Sequence, residues 1–322
     1  MKKVERIIVY LALIAVFVIA IFLDKKITMK IYDPVNGFGR TFELIGEMPG
    51  YVVAVMAGAI GFKCFDSDRK NIKIIGKVIF AIAIIGGAGY AGYNSKGVVD
   101  RLLGEKLSFA FVIPFVLGYL AAGCGLGYFL SRGDKKEALR FAYIALIVFI
   151  VVLAASTAIK FIWFRPRYRT LVALYGENAG NYWRAVYKPQ TWKAYSTYMS
   201  VGDDVLAAAA KYLGIDKVGR SEFLSFPSGH TFSAMYIVVL AFSGNVFPFI
   251  SKRKNIWKIV AFLFAIVVGL SRMVTGAHNA TDVLASIIMV ILVTDLAFTF
   301  LPKFADKLVE LPFKHKEVKA EE

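Results

Sequence analysis

Charge is scarce in this chain, and negative charge scarcest: 19% of its 322 residues are charged, with 23 Asp and Glu against 39 Lys and Arg. A soluble domain carries about 25% charged residues and is about half apolar, whereas this chain is 58% hydrophobic with a mean hydropathy of +0.61. A soluble globular class is excluded. Cysteine is almost missing. Cys64 falls at the edge of one apolar run and Cys124 inside another, and neither forms a CxxC, so a disulfide is not expected and both read as small apolar filler. No small-x-small cleavage site follows the first apolar run; Ile21-Phe22-Leu23 passes directly into Asp24-Lys25-Lys26, as in a retained anchor. No basic stretch is interleaved with stacking aromatics, so the net charge of +16 points to a membrane surface and not to nucleic acid. Repeats and low-complexity tracts are absent.

What is present is a series of apolar blocks long enough to cross a bilayer. Eight spans are expected, near 6–23, 50–65, 72–93, 107–130, 139–163, 231–250, 256–274 and 281–301. With the N-terminus inside, the cytoplasmic segments collect 20 Lys and Arg and the short outer loops only 8. Both termini are therefore expected in the cytoplasm, with the protein in the plasma membrane. Gly86-Gly87-Ala88-Gly89 with Gly92, and Gly123 with Gly127, are small residues that let helices approach in lipid, for internal packing ahead of dimerisation.

The only large segment outside the spans is 164–230, extracytoplasmic in this topology and rich in Tyr and Trp. Such aromatics favour the membrane interface or contact with a lipid entering sideways. Within it, Asp203-Asp204, Val205 to Leu213 and then Gly214 read as a short capped helix.

There are three histidines, and two stand in unusual surroundings. Phe226-Pro227-Ser228-Gly229-His230-Thr231 opens the sixth span. Ser271-Arg272 closes the seventh, and His278-Asn279-Ala280-Thr281-Asp282 opens the eighth. The long loop starts with Lys160-Phe161-Ile162-Trp163-Phe164-Arg165-Pro166-Arg167. All three stretches emerge on one outer face in the expected topology. Ser228 and Gly229 place a hydroxyl and free N–H groups at a helix N-terminus, where anions bind. Lys160, Arg165, Arg167 and Arg272 supply cationic donors, Arg with the fork that phosphate prefers. His278 and Asp282 are four residues apart on one helix face, so the carboxylate can hold one ring nitrogen and leave the other as a nucleophile. His230 is then available to protonate a leaving oxygen. No His/Asp/Glu cluster suggests a metal.

These stretches resemble the type 2 phosphatidic acid phosphatases, a family sharing its signature with vanadium haloperoxidases. The family's three blocks are Lys-x6-Arg-Pro, Pro-Ser-Gly-His and Ser-Arg-x5-His-x3-Asp. The second matches at Pro227-Ser228-Gly229-His230, and the third at Ser271-Arg272, His278 and Asp282. In the first, spacing from Lys160 selects Arg167 but finds Tyr168 where proline is expected; Arg165-Pro166 has the dipeptide two residues early. Arg167 is favoured. The resemblance runs from Lys160 to about residue 300. It implies an all-α polytopic transmembrane bundle with a six-helix catalytic core; the expected division is N-terminal transmembrane helices over 1–138, the catalytic region over 139–302 and a cytoplasmic tail over 303–322.

It also implies a metal-independent, cofactor-free lipid phosphatase working through a phosphohistidine on His278. Asp282 would orient His278, and His230 would protonate the leaving group. Lys160, Arg167 (or Arg165), Ser228, Gly229 and Arg272 would bind phosphate. The expected partner is a phosphorylated lipid in the membrane: phosphatidic acid, phosphatidylglycerophosphate or a polyprenyl diphosphate. A lipid phosphotransferase and a non-catalytic lipid-binding or transport protein are the alternatives; neither substrate nor oligomeric state is written in the sequence.

Overall fold

The computed structural model describes residues 3–131, 133–189 and 192–310. The tail beyond residue 310 lies outside the described residues. All regular structure among them is helical. The first half is α1 (Lys3–Ile31), α2 (Gly37–Ile45), α3 (Met48–Cys64), α4 (Lys70–Leu103), α5 (Val112–Leu130) and α6 (Lys135–Trp163). The long loop folds into α7 (Tyr168–Tyr175), α8 (Ala179–Tyr182), α9 (Trp192–Tyr198) and α10 (Asp203–Leu213). The last part is α11 (Gly229–Tyr236), α12 (Pro248–Ser251), α13 (Lys254–Val274), α14 (Ala280–Phe300) and α15 (Pro302–Glu310).

Among the described residues, seven helical stretches are long and apolar enough to cross a membrane, which makes this a polytopic helical bundle. The sixth expected span is the shorter one. Gly229–Phe242 is α-helical to Tyr236 and then tightens into a 3-10 turn from Ile237. At about 1.5 Å per α residue and 2.0 Å per 3-10 residue it reaches roughly 24 Å, short of a ~30 Å hydrocarbon core. Gly244, at a φ of 56°, and Pro248 prevent a single helix from running on to 250.

The first span differs in the other direction. Helix α1 does not stop at Asp24 but continues to Ile31, because Asp24 is buried against Arg165 and Thr281 instead of marking a water boundary.

Helix α3 is the centre of the bundle, in contact with α4, α5, α6 and α11. Val55, Ala57 and Ile60 on it are wholly buried. Glycines set how close its neighbours come. A Cβ on Gly123 of α5 would lie 2.5 Å from Val55, and one on Gly127 2.9 Å from the Met56 carbonyl, so these small residues serve internal packing. On α4, Gly92 meets α5 in the same way, whereas Gly86 and Gly89 face open space. Cys64 and Cys124 are both free.

The long loop forms an apolar cap over one end of the bundle. Tyr168, Tyr198, Leu171, Ala209 and Phe223 are buried in its own small core, and Tyr175 stacks on Tyr182 at 3.7 Å. Several of its aromatics thus hold the cap together, while Tyr187 stays exposed. Helix α10 covers the expected residues; its cap is Gly202, and Gly214 ends it in the left-handed conformation.

Candidate active site

Backbone hydrogen bonds fasten the three motif stretches to one another beneath this cap. The Arg167 amide donates to Glu222, Ser225 to Arg165, and Arg169 to Gly276, each at 3.0 Å. The Ser228 amide donates to the Asp282 carbonyl at 3.1 Å, and the Ser286 hydroxyl returns to the Ser228 carbonyl at 2.8 Å. The ends of α6, α11, α13 and α14 are thereby fixed around a cavity of about 830 Å³. Lys160, Arg167, Gly229, His230 and His278 line it, together with Glu47 just before α3, Tyr51 of α3 and residues of α4.

His278 sits in the turn before α14, 3% exposed. Its Nδ1 lies 2.7 Å from the Ser225 carbonyl, which can only accept, so Nδ1 carries the proton and Nε2 keeps its lone pair. Asp282 Oδ2 stands 3.7 Å from Nδ1, beyond hydrogen-bond distance. The carboxylate is engaged elsewhere: with the Asn279 amide at 2.8 Å, as part of a capping box, and with Arg165 at 2.5 Å. Burial pushes the His278 imidazole down to about 4, helped by Arg167 and Lys160 and opposed by Asp282. The ring is neutral at physiological pH.

The two arginines of the first motif separate. Arg167 lines the cavity and has only a 3.9 Å approach to Glu222. Arg165 does not line it; its side chain is 2% exposed, paired with Asp24 at 2.7 Å and with Asp282 at 2.5 Å, and lies over the Trp183 ring. That is a buried ion triad tying α1 to α14, not a surface for a ligand. Ser228 is also withdrawn from the cavity. Its hydroxyl is wholly buried and caps α11 by accepting from Thr231. Gly229 is open to the cavity, and a Cβ there would stand 3.7 Å from both Glu47 Oε1 and Lys160 Nζ. Arg272 is fully buried, 3.2 Å from Glu43 Oε2. The Nε groups of Arg167 and Arg272 are buried with no hydrogen-bond partner among the described residues.

Four carboxylates around the site were not singled out by the sequence. Glu43 on α2 binds Arg272 and Arg101, and Glu47, just before α3, meets His230 Nδ1 at 3.1 Å. Glu222 holds Arg169 at 3.1 Å. Burial opposes its ionisation, yet Arg169 and Arg167 keep its carboxyl well below the usual carboxylate range. Asp24 completes the set. The available signal was that acidic residues beside apolar spans are costly and therefore need partners. Among the described residues, no group of three or more His, Cys, Asp and Glu is arranged to hold a metal ion.

The family model described as the PAP2 superfamily matches residues 137–306, more than half of the 322. The chain belongs to the PAP2 superfamily. It is also similar to phosphatidylglycerophosphatase B of Bacillus subtilis (strain 168), at 35% identity over 105 residues. That alignment covers 30% of this chain and 51% of the relative, so the chain spans about half the length of the curated protein it matches. No solved structure matches it with significance. Glu43, Glu47 and Asp24 all precede the PAP2-matched region, so part of the wall of this site comes from outside it.

Proposed function

We propose that this PAP2 protein is a membrane lipid phosphatase that hydrolyses a phosphomonoester or diphosphate through a phosphohistidine on His278, without a metal. The observation that carries the reading is a single cavity lined by Lys160, Arg167, Gly229, His230 and His278, drawn from distant stretches of chain.

His278 Nε2 attacks phosphorus, with Nδ1–H held by the Ser225 carbonyl and the charge of Asp282 close behind. His230 gives a proton to the leaving oxygen and then takes one from the water that releases phosphate. Lys160, Arg167 and the α11 N-terminus at Gly229 neutralise the phosphoryl oxygens, and Arg272 adds positive charge from behind. Preorganised donors of this kind each contribute about 10²–10³ in rate. The unpartnered Nε groups of Arg167 and Arg272 favour an anionic ligand, because a buried donor without an acceptor costs about 1–3 kcal/mol.

The substrate is a lipid in this reading. The cavity lies at helix ends, where a headgroup can enter while its chains stay among the spans. The relative's name supports a phospholipid phosphomonoester such as phosphatidylglycerophosphate. The charge bias supports cytoplasmic termini and a site facing outward from the plasma membrane, with the catalytic region over 139–302.

Purified protein in detergent, assayed on a panel of phospholipid and polyprenyl phosphates with chelator present, tests this. Release of inorganic phosphate, lost in His278→Ala, is expected; activity that vanishes with chelator, or a phosphoryl group found only on an acceptor alcohol, would overturn it.

A further inference from the structure

We propose that Glu47 is the proton partner of His230: the two side chains hold one transferable proton between them and deliver it to the oxygen leaving phosphorus. This rests on the phosphohistidine reading and adds to it a positioning residue from before the PAP2-matched region.

The close approach of Glu47 to His230 calls for a shared proton. Both ring nitrogens of His230 face oxygen, Nδ1 at 3.1 Å from Glu47 Oε1 and Nε2 at 3.2 Å from the Glu43 carbonyl. A carbonyl only accepts, so Nε2 carries hydrogen. At the 3.1 Å ion-pair contact a bare Nδ1 lone pair would repel the carboxylate oxygen, so a hydrogen stands between them, on an imidazolium facing a carboxylate or on a carboxyl group facing a neutral ring. Either way the pair holds one proton more than a neutral imidazole and a carboxylate would.

The carboxyl is built in place. Its Oε2 lies 3.3 Å from the Tyr51 hydroxyl, which accepts from Asn94 of α4 at 3.1 Å. The Ser233 hydroxyl of α11 donates to the Glu47 carbonyl at 2.7 Å, which keeps the residue in step with His230 on the same helix. Glu47 lines the cavity beside His230 and His278.

The chemistry balances. As His278 Nε2 bonds to phosphorus, the P–O bond to the leaving alcohol breaks and the Nε2 proton of His230 passes to that oxygen. The pair is left as a neutral ring with Nδ1–H on the Glu47 carboxylate. Water then attacks phosphorus, the P–N electron pair returns to His278, and a proton of the water returns to His230 Nε2. The 3.2 Å contact to the Glu43 carbonyl is long enough for a leaving oxygen to compete with it.

The test uses the full chain in detergent, two phosphomonoesters and three proteins. One substrate is a lipid with an alkyl leaving group; the other is nitrophenyl phosphate, whose leaving group needs no proton. Glu47→Gln is expected to lower kcat/KM, which reports phosphoryl transfer to His278 and departure of the alcohol, by about 10²-fold on the lipid while changing it far less on nitrophenyl phosphate, and to be largely rescued as Glu47→Asp. The alkaline limb of kcat/KM should also move to lower pH by about one unit in Glu47→Gln, since the acid loses its anionic partner. Lys160, Tyr51, Arg101 and Arg272 also face Glu47, and Glu47→Asp keeps all of them, so its limb should stay. Equal losses of kcat/KM on both substrates, or a limb that does not move, overturn the proposal; where nitrophenyl phosphate is not turned over by the wild type, the limb decides. A His278→Ala protein that keeps its activity removes the phosphohistidine reading itself. A dead His278→Ala beside a fully active Glu47→Gln removes only the proton pair.

Discussion

The Ser225 carbonyl, not the Asp282 carboxylate, is the hydrogen-bond partner of His278 Nδ1, at 2.7 Å against 3.7 Å. Because a backbone group fixes the tautomer, Asp282→Asn should leave a working nucleophile, with a loss of about tenfold in kcat, while His278→Ala falls to background. The larger effect of Asp282→Asn is expected in thermal stability, since the single amide oxygen cannot serve both the Asn279 amide of the capping box and Arg165, which is left with Asp24 as its one carboxylate partner. Comparing melting temperature with turnover in both variants checks this.

Arg165 and Arg167 should fail in different ways. Removing the Arg165 side chain leaves Asp24 and Asp282 as buried carboxylates without their partner, a loss of about 3–5 kcal/mol in stability. Arg167→Ala should melt close to wild type but lose about 10²–10³ in kcat/KM. Unfolding curves beside lipid phosphatase assays separate the two, and an Arg167→Ala enzyme with full activity would remove it from the phosphate site.

Acid tolerance follows from His278. Burial, with Arg167 and Lys160 nearby, holds its imidazole down to about 4 against an ordinary 6.5. Its limb in the kcat/KM profile should therefore appear near pH 4 and not near 6.5, and Arg167→Ala should move it upward. The stability effect has the opposite sense: as pH drops through 6.5 toward 4, the unfolded chain takes up a proton the folded chain refuses, and the fold weakens.

Glycine substitutions should report the contact between α3 and α11. A Cβ on Gly50 would overlap the Ser233 carbonyl and hydroxyl, whereas one on Gly86 would meet nothing. Gly50→Ala is expected to cost about 1–3 kcal/mol and to lower activity by shifting Glu47 from His230, with Gly86→Ala as the neutral control. Thermal unfolding and phosphate release measured on both proteins test the pair.

The legible parts of this molecule were those with a local signature. Apolar blocks announced most helices, and Pro227 to His230 with Arg272 to Asp282 stood out because such residues are rare at span ends. What stayed hidden was set by partners distant in sequence. Asp24 looked like the end of a span because its counter-ion lies 141 residues away. Glu43 and Glu47 looked like loop residues between apolar runs, with nothing nearby to indicate Arg272 or His230. The i,i+4 spacing of His278 and Asp282 suggested one helix face, but His278 stands in the turn before α14, and Ser225 is nearer to it than Asp282.

The bond from Asp24 to Arg165 and Thr281 also has a bearing on biogenesis. Helix α1 is made before the partners of its carboxylate: Arg165 follows after 141 more residues and Thr281 after 257. The nascent protein therefore carries in α1 an acid without its buried partners until the segment holding Arg165, and then α14, have been added, and α1 must remain free to shift or rotate until then.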